Sequence, residues 1–270
     1  MYRTLKLDAK GAVATVALCR PEARNAMSAK LMREMITCAG RVGAMRDIDV
    51  VIVRGSGVCF SAGADLKDAS RWGNAARPLD EQREIAALGF RMARAWEEVP
   101  QITIAAIEGY AIGGGLALAA ALDWRVMAEN AFVSLPEISL GIPLTWGTLP
   151  RLVNLLGPAT AKRLTILCER VHAQEALAIG LADWLAPPGK TLKLARDIAR
   201  RVRALPRNSV RMSKESINAY AGIGAHAASH MAHDQVQLAA GSAEAQAARE
   251  AFAARRKAAS PAKRPGRPSR

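Results

Sequence analysis

Two stretches of small residues carry the first chemical clue, Phe60–Leu66 (FSAGADL) and Gly109–Ala119 (GYAIGGGLALA). Each follows an apolar, strand-like run, and the second leads into an Ala/Leu-rich helix. Gly113, Gly114 and Gly115 give up backbone entropy and offer nothing to pack, so something must approach the backbone closely. At a helix N-terminus the N–H groups lack intrahelical acceptors and the dipole is positive, which suits developing negative charge. A turn around Ala64 can aim a second N–H at the same point, and two converging donors stabilise an oxyanion. Close helix–strand packing explains the glycines equally well on spacing alone. An oxyanion site also needs an acid or base beside it. Glu137, in SLPEISLG (Ser134–Gly141), sits between Leu135-Pro136 and Ile138. Desolvation there disfavours the charged carboxylate and makes it a stronger base near neutral pH. A first-turn helix carboxylate is the commoner role for such a residue.

His226, His230 and His233 share one helical stripe, and an i, i+4 histidine pair can chelate zinc or nickel. No glutamate stands between them as a general base, and their neighbours are small, so the stripe reads as packing and no metal is expected.

The elements that must position these groups alternate between strand and helix. Leu5–Asp8 and Val13–Leu18 form a hairpin around Lys10-Gly11, and Ser28–Met45 has helical periodicity. Val50–Val53 and Ile102–Ile107 read as buried strands, the latter running into the glycine turn. The polar stretch Lys67–Asp80 reads as a mobile loop before a helix from about Glu81 to Glu98. Leu116–Leu122 is helical, with extended pieces at Arg125–Met127 and Phe132–Ser134. Helices follow at Gly147–Leu156, Ala159–Cys168 and Ala173–Ile179, and the chain beyond Lys190 is mostly helical. The pattern is an α/β core with a helical C-terminal part.

The 270 residues suffice for a buried core, and an apolar fraction of 50% is that of a globular chain. No charge-free apolar run is long enough to span a membrane, and the start (MYRTLKLDAKG) has no apolar signal core. Cys19, Cys38, Cys59 and Cys168 are scattered without a CxxC pair, as expected of reduced thiols in a cytoplasmic protein. Of the net charge of +14, half lies in the last 22 residues, where eight basic side chains face Glu250 alone. The tail, residues 258–270 (AASPAKRPGRPSR), has too little apolar surface to order itself. It reads as a solubilising extension rather than a nucleic-acid contact, because no aromatic residue interleaves the charges.

Taken together, FSAGADL, Ile104–Ala119 (IAAIEGYAIGGGLALA) and Leu135–Leu152 (LPEISLGIPLTWGTLPRL) resemble the crotonase, or enoyl-CoA hydratase/isomerase, superfamily. Further likenesses are Arg20–Met27 (RPEARNAM) to its first CoA-contacting loop, Ala173–Leu185 (AQEALAIGLADWL) to its EAxxxGL segment, and Glu250–Lys257 (EAFAARRK) to its terminal helix. The resemblance implies a crotonase-like α/β fold, a spiral of ββα units over residues 1–205. It implies a helical trimerisation region over 206–257, ahead of the basic tail at 258–270. Trimers, often paired into hexamers, are expected. The substrate is an acyl-CoA thioester, CoA entering as part of the substrate and not as a cofactor.

The resemblance also assigns roles. Ala64 and Gly114 supply the two N–H groups to the thioester carbonyl, and Glu137 matches one of two catalytic glutamates of the hydratases. The second belongs three residues after the central glycine, where this chain has Ala117. Hydration ordinarily uses two carboxylates to hold and activate water, whereas moving a double bond needs one group that takes a proton and returns it. A lone Glu137 therefore favours isomerisation over hydration. The alternatives are a 2-enoyl-CoA hydratase with a modified site and a non-catalytic or RNA-binding homologue. Dienoyl-CoA isomerases place an aspartate eight residues after this glutamate, where Thr145 stands. For CoA and substrate the resemblance points to Ala23, Arg24, Ala62, Asp65, Leu66, Lys67 and Gly113. It adds Phe252 and Arg255 of the terminal helix, Arg255 reaching a CoA phosphate of a neighbouring subunit. Glu22 occupies a position that is often basic in the family. Pro143–Gly147 (PLTWG) replaces a glycine-rich segment, so Trp146 either narrows or stacks against the acyl pocket, or is a core aromatic.

Overall fold

The computed structural model describes residues 1–70, 77–225, 229 and 232–258, the side chains at 233, 237 and 255–258 excepted. The hairpin β1 (Leu5–Lys10) and β2 (Val13–Leu18) opens a six-stranded sheet. It continues through β3 (Val50–Gly55), β4 (Ile102–Ile107), β6 (Trp124–Ala128) and β9 (Trp184–Ala186), in the order β1-β2-β3-β4-β6-β9. Beyond the antiparallel hairpin all pairings are parallel. The fully buried stretches Val50–Val53 of β3 and Ile102–Ile107 of β4 follow from this, since a parallel sheet is covered on both faces. One face carries α1 (Ala29–Gly43), α2 (Leu79–Glu97) and α3 (Gly114–Ala121) in the main core. The other buries Val50, Ile52, Ile104 and Val126 against α6 (Thr191–Arg203). Ser28 caps α1 by accepting from the Leu31 N–H at 3.2 Å, and the Trp96 indole N–H of α2 donates to the Met35 carbonyl at 3.1 Å.

A second, smaller layer gives the spiral its pitch. After β4 the chain turns at Gly109 into β5 (Tyr110–Ile112); after β6 it turns into β7 (Phe132–Ser134). With β8 (Arg170–His172) these form a sheet in the order β5-β7-β8. Single bridges Met27↔Ala64 and Ser61↔Ala111 carry the same layer back to the segments after β2 and β3. Each turn of the spiral thus runs from a main-sheet strand, through a short extended piece, into a helix. The mixed α/β fold of ββα units expected from the sequence is the observed one.

The strand Ile102–Ile107 does not run straight into the glycine turn as the sequence suggested: β5 intervenes. The helix read as Leu116–Leu122 begins two residues earlier, which makes Gly114 its first residue. Asp80, read as loop, belongs to α2, and residues 71–76 of that loop lie outside the described residues. The two helices expected over 147–168 are observed: α4 (Thr148–Leu167) is two helices meeting at a kink where Gly157 is non-helical, with φ of +73° and ψ of 161°. After α5 (Ala173–Ala178) and α6, helix α7 (Arg207–Ala221) is tied to the spiral. There the Lys214 ammonium donates to Asp123 Oδ2 at 2.6 Å and to the Gln101 carbonyl at 2.8 Å. Helices α8 (Ala232–Ala240) and α9 (Ala243–Ala258) fold back over the same chain: Arg83 of α2 pairs with Asp234, and Ala245 is buried against Gly141. The histidines 226 and 230, the His233 side chain and the tail after 258 lie outside the described parts. Among the described residues no helix is long and apolar enough to cross a membrane.

Candidate active site

The two small-residue turns meet. The Ile112 N–H donates to the Ser61 carbonyl at 3.0 Å, and the Ser61 N–H donates to the Tyr110 carbonyl at 3.2 Å. Two glycines make this approach possible. A Cβ on Gly63 would stand 2.6 Å from the Ile112 carbonyl oxygen, and one on Gly115 would stand 2.8 Å from Ser61 Cβ. The first loop is fastened to the same place by Met27 N–H to Gly63 carbonyl (2.7 Å), Asp65 N–H to Met27 carbonyl (3.2 Å) and Ala62 N–H to Arg24 carbonyl (2.9 Å).

This bonding frees two donors. The Met27–Ala64 bridge uses the Gly63 carbonyl and the Asp65 N–H, so the intervening Ala64 N–H faces away from it. Gly114 opens α3, and an opening N–H has no intrahelical acceptor. Neither N–H donates to a turn, loop or cap carbonyl among the described residues. The place where a Gly63 Cβ would sit is 3.4 Å from the Gly114 nitrogen, which brings the turn that carries Ala64 to the start of α3.

Glu137 closes that site. The Gly113 N–H donates to the Ser134 carbonyl at 2.9 Å, and from Ser134 the chain runs Leu135-Pro136-Glu137 back to the glycines. A Cβ on Gly113 would lie 2.6 Å from Glu137 Oε1, and the φ of +51° there suits glycine. Glu137 stands at the head of a 3-10 helix, Ile138–Leu140, but its side chain makes no cap. Its backbone, not its carboxylate, plays the helix-start role. Oε2 is buried without a hydrogen-bond partner among the described residues. Burial pushes the carboxyl from 4.5 up to about 7, with its own backbone N–H a small opposing influence.

The other sequence candidates fall around this centre. Ala23 ends a short 3-10 turn, and Arg24 after it is exposed with a left-handed φ of +53°. Asp65 is nearly buried and pairs with Arg20 at 2.9 Å, while Leu66 and Lys67 are exposed beside it. Ala62 and Ala64 are half-buried in the turn. Ala117 lies in α3 with 1% exposure, inside the apolar core. The Trp146 ring occupies the space where a Cβ on Gly114 would stand. Phe252 is half-buried on α9, two turns beyond Ala245, which touches the loop following Glu137. The helix that bears Arg255 packs on its own chain, and the Arg255 side chain lies outside the described ones. Sequence reasoning missed Asn25, fully buried, whose Nδ2 donates to the Ser56 and Cys59 carbonyls at 2.8 and 3.0 Å and whose Oδ1 accepts from the Arg20 N–H at 3.0 Å. An amide in the short run RPEARNAM, between two loops that must be joined, was its available signal.

A buried carboxylate beside the glycine turn that opens α3, on a spiral of ββα units, is an arrangement suited to proton transfer next to a helix N-terminus. The family model of the enoyl-CoA hydratase/isomerase proteins matches residues 8–260. The chain therefore belongs to the enoyl-CoA hydratase/isomerase family of acyl-CoA enzymes, within the crotonase superfamily. It is 33% identical to a short-chain-enoyl-CoA hydratase of Clostridium acetobutylicum over 213 residues, 78% of this chain and 80% of the relative. It is also 33% identical to a crotonyl-CoA hydratase of Syntrophomonas wolfei over 218 residues, 80% of this chain and 82% of the relative. Among solved structures, an enoyl-CoA hydratase/isomerase of Xanthobacter autotrophicus superposes with a TM-score of 0.85 at 29% identity, over 97% of this chain and all of that one.

Proposed function

We propose that this enzyme isomerises the double bond of an enoyl-CoA thioester, with Glu137 as the group that moves the proton. The thioester carbonyl accepts from the Ala64 and Gly114 N–H groups. Glu137 takes a proton from C2 of a 3-enoyl thioester, the negative charge spreads to the carbonyl oxygen as a dienolate, and the carboxylic acid returns the proton to C4. A 2-enoyl thioester results, and the carboxylate is regenerated. Each oxyanion donor contributes about 3 kcal/mol to lowering the barrier. The observation that carries the reading is the buried carboxylate of Glu137 at the glycine turn, whose Oε2 has no hydrogen-bond partner among the described residues. Glu137 is pushed to about 7, and Ala117 is packed in the core where the resemblance places a second glutamate. With one such group the same acid can donate what it took, which isomerisation requires and water addition does not exploit.

CoA is held along the first loop and the GAD turn, by Ala23 and Arg24 on one side and Ala62, Asp65, Leu66 and Lys67 on the other, with Phe252 and Arg255 of α9 completing the cover. The reaction drawn here needs no metal and no further cofactor. The active form is a trimer or a pair of trimers. Met212, Ile217, Tyr220 and Ile223, on and just after α7, support association because each is at least 65% exposed.

Hydration of a 2-enoyl-CoA is the second reading, favoured by the hydratase names of the two relatives above. One experiment separates them: 3-enoyl- and 2-enoyl-CoA thioesters are offered in turn and the products are identified by NMR. Migration of the double bond faster than addition of water supports isomerisation; faster 3-hydroxyacyl formation replaces it with hydration.

A further inference from the structure

Three unfavourable local choices converge on one side chain. Trp146 has a φ of +61°, a left-handed conformation that a bulky residue rarely adopts. Gly89 lies inside the 19-residue helix α2, where glycine is disfavoured relative to alanine. Gly114 opens α3. Both glycines face the same indole. A Cβ on Gly89 would stand 2.0 Å from Trp146 Cε2, and one on Gly114 would stand 2.2 Å from Cζ3. The ring therefore bridges α2 and α3, its five-membered side against one helix and its six-membered edge against the other. Only 8% of the residue is exposed. Arg151 holds this wall in place by donating from Nη1 to the Trp146 and Gly147 carbonyls at 3.1 and 2.9 Å, and it is braced by Glu97 of α2 at 2.7 Å. Strain kept at such a point, with neighbours shaped to accommodate it, marks a functional position.

Gly113 and Gly114 are consecutive, and each meets one wall of the site: Gly113 the Glu137 carboxylate, Gly114 the Trp146 ring. A cavity of about 680 Å³ begins at the neighbouring residues, Phe90 and Gly147, and extends along Pro150, Arg151 and α7. Glu137, Gly113, Gly114 and Trp146 are all absent from its lining, whereas Phe90 and Gly147, the chain neighbours of Gly89 and Trp146, belong to it.

We propose that Trp146 is the residue that sets acyl-chain length, closing the path between α2 and α3 so that the enzyme takes compact, short-chain acyl groups. The inference rests on the proposed seat of the thioester carbonyl at Gly114. An acyl chain leaving that carbonyl meets the indole within its first few carbons, and longer chains find no room.

Binding and turnover are measured separately, so that the chemistry and the chain-length limit are tested apart. Saturated four-, eight- and twelve-carbon acyl-CoAs, which cannot react, are titrated calorimetrically into the wild type, Trp146→Gly and Trp146→Phe. Glycine tolerates the left-handed backbone, and phenylalanine keeps an aromatic wall of smaller size, so one variant carries the test if the other fails to fold. The wild type binds the four-carbon thioester at least about 10-fold more tightly than the eight-carbon one. In Trp146→Gly that ratio falls by about 10-fold or more, and Trp146→Phe lies between. An unchanged ratio in a folded variant, or a wild type that binds twelve carbons as well as four, overturns the proposal. The predicted shift in binding without turnover of any enoyl-CoA upholds the chain-length role and counts instead against the proton transfer assigned to Glu137.

Discussion

Glu137→Gln keeps the shape of the buried side chain and removes its charge, which converts its perturbed acidity into a measurable stability. Burial raises the carboxyl from 4.5 to about 7. Between those values the folded chain holds this proton while the unfolded chain has released it. Stability therefore falls as pH rises through that window and levels off above about 7. At ~1.36 kcal/mol per unit the shift amounts to about 3 kcal/mol, absent below the window and fully expressed above it. The glutamine variant has no such pH dependence. It carries instead a constant cost of about 1–3 kcal/mol, because an amide nitrogen replaces an oxygen that already lacked a partner. Urea unfolding of both proteins at half-unit steps from about pH 4 to 9 isolates the difference. That difference should move by about 3 kcal/mol in favour of the variant across the window and be flat outside it. A difference flat throughout would refute burial as the source of the acidity. The catalytic counterpart has the opposite sign: as a base Glu137 must be ionised, so kcat/KM of the free enzyme rises with pH through about 7.

Gly113→Ala drives a methyl group to 2.6 Å from Glu137 Oε1, and turnover should fall about 100-fold or more in a steady-state assay while the thermal melt is lowered by a few degrees. Gly89→Ala should be strongly destabilising beside Trp146 but mild in the Trp146→Gly background, a coupling readable as non-additive denaturation midpoints. Asn25→Ala leaves the Ser56 and Cys59 carbonyls without their donor, and unfolding by urea should show a loss of about 2 kcal/mol or more. Desolvation pushes the Cys38 thiol up to about 11, so iodoacetamide at about pH 8 should label the half-exposed Cys19 and Cys168 long before it, as mass spectrometry of digests will show.

The parts of the fold that the sequence announced are those with long patterns. The mainly apolar, β-branched runs of β3 and β4 and the periodicity of α1 need no partner to be recognised. The three-residue strands β5, β8 and β9 carry no period of their own, and their pairing partners lie twenty or more residues away. Missing β5 shifted the expected start of α3 past Gly114, whose opening N–H is the one that matters. At the site, the glycines were legible because glycine is conspicuous, but which side chain fills each vacancy was not. Gly89 carries no signal of its own within the helical pattern, and only the folded chain brings Trp146 against it from 57 positions away in sequence. From its own segment Glu137 read more readily as a helix-start carboxylate, and it does start a helix; that its side chain turns inward depends on the missing Cβ at Gly113.

The central claim, proton transfer by Glu137 beside two backbone donors, is tested most directly by turnover of a 3-enoyl-CoA in deuterated water, wild type against Glu137→Gln. The wild type should form the 2-enoyl-CoA and deliver to C4 the proton taken from C2, with little solvent deuterium there. The variant should lose about 100- to 10,000-fold in rate, the usual share of a general base. Equal turnover by the two proteins would contradict the account.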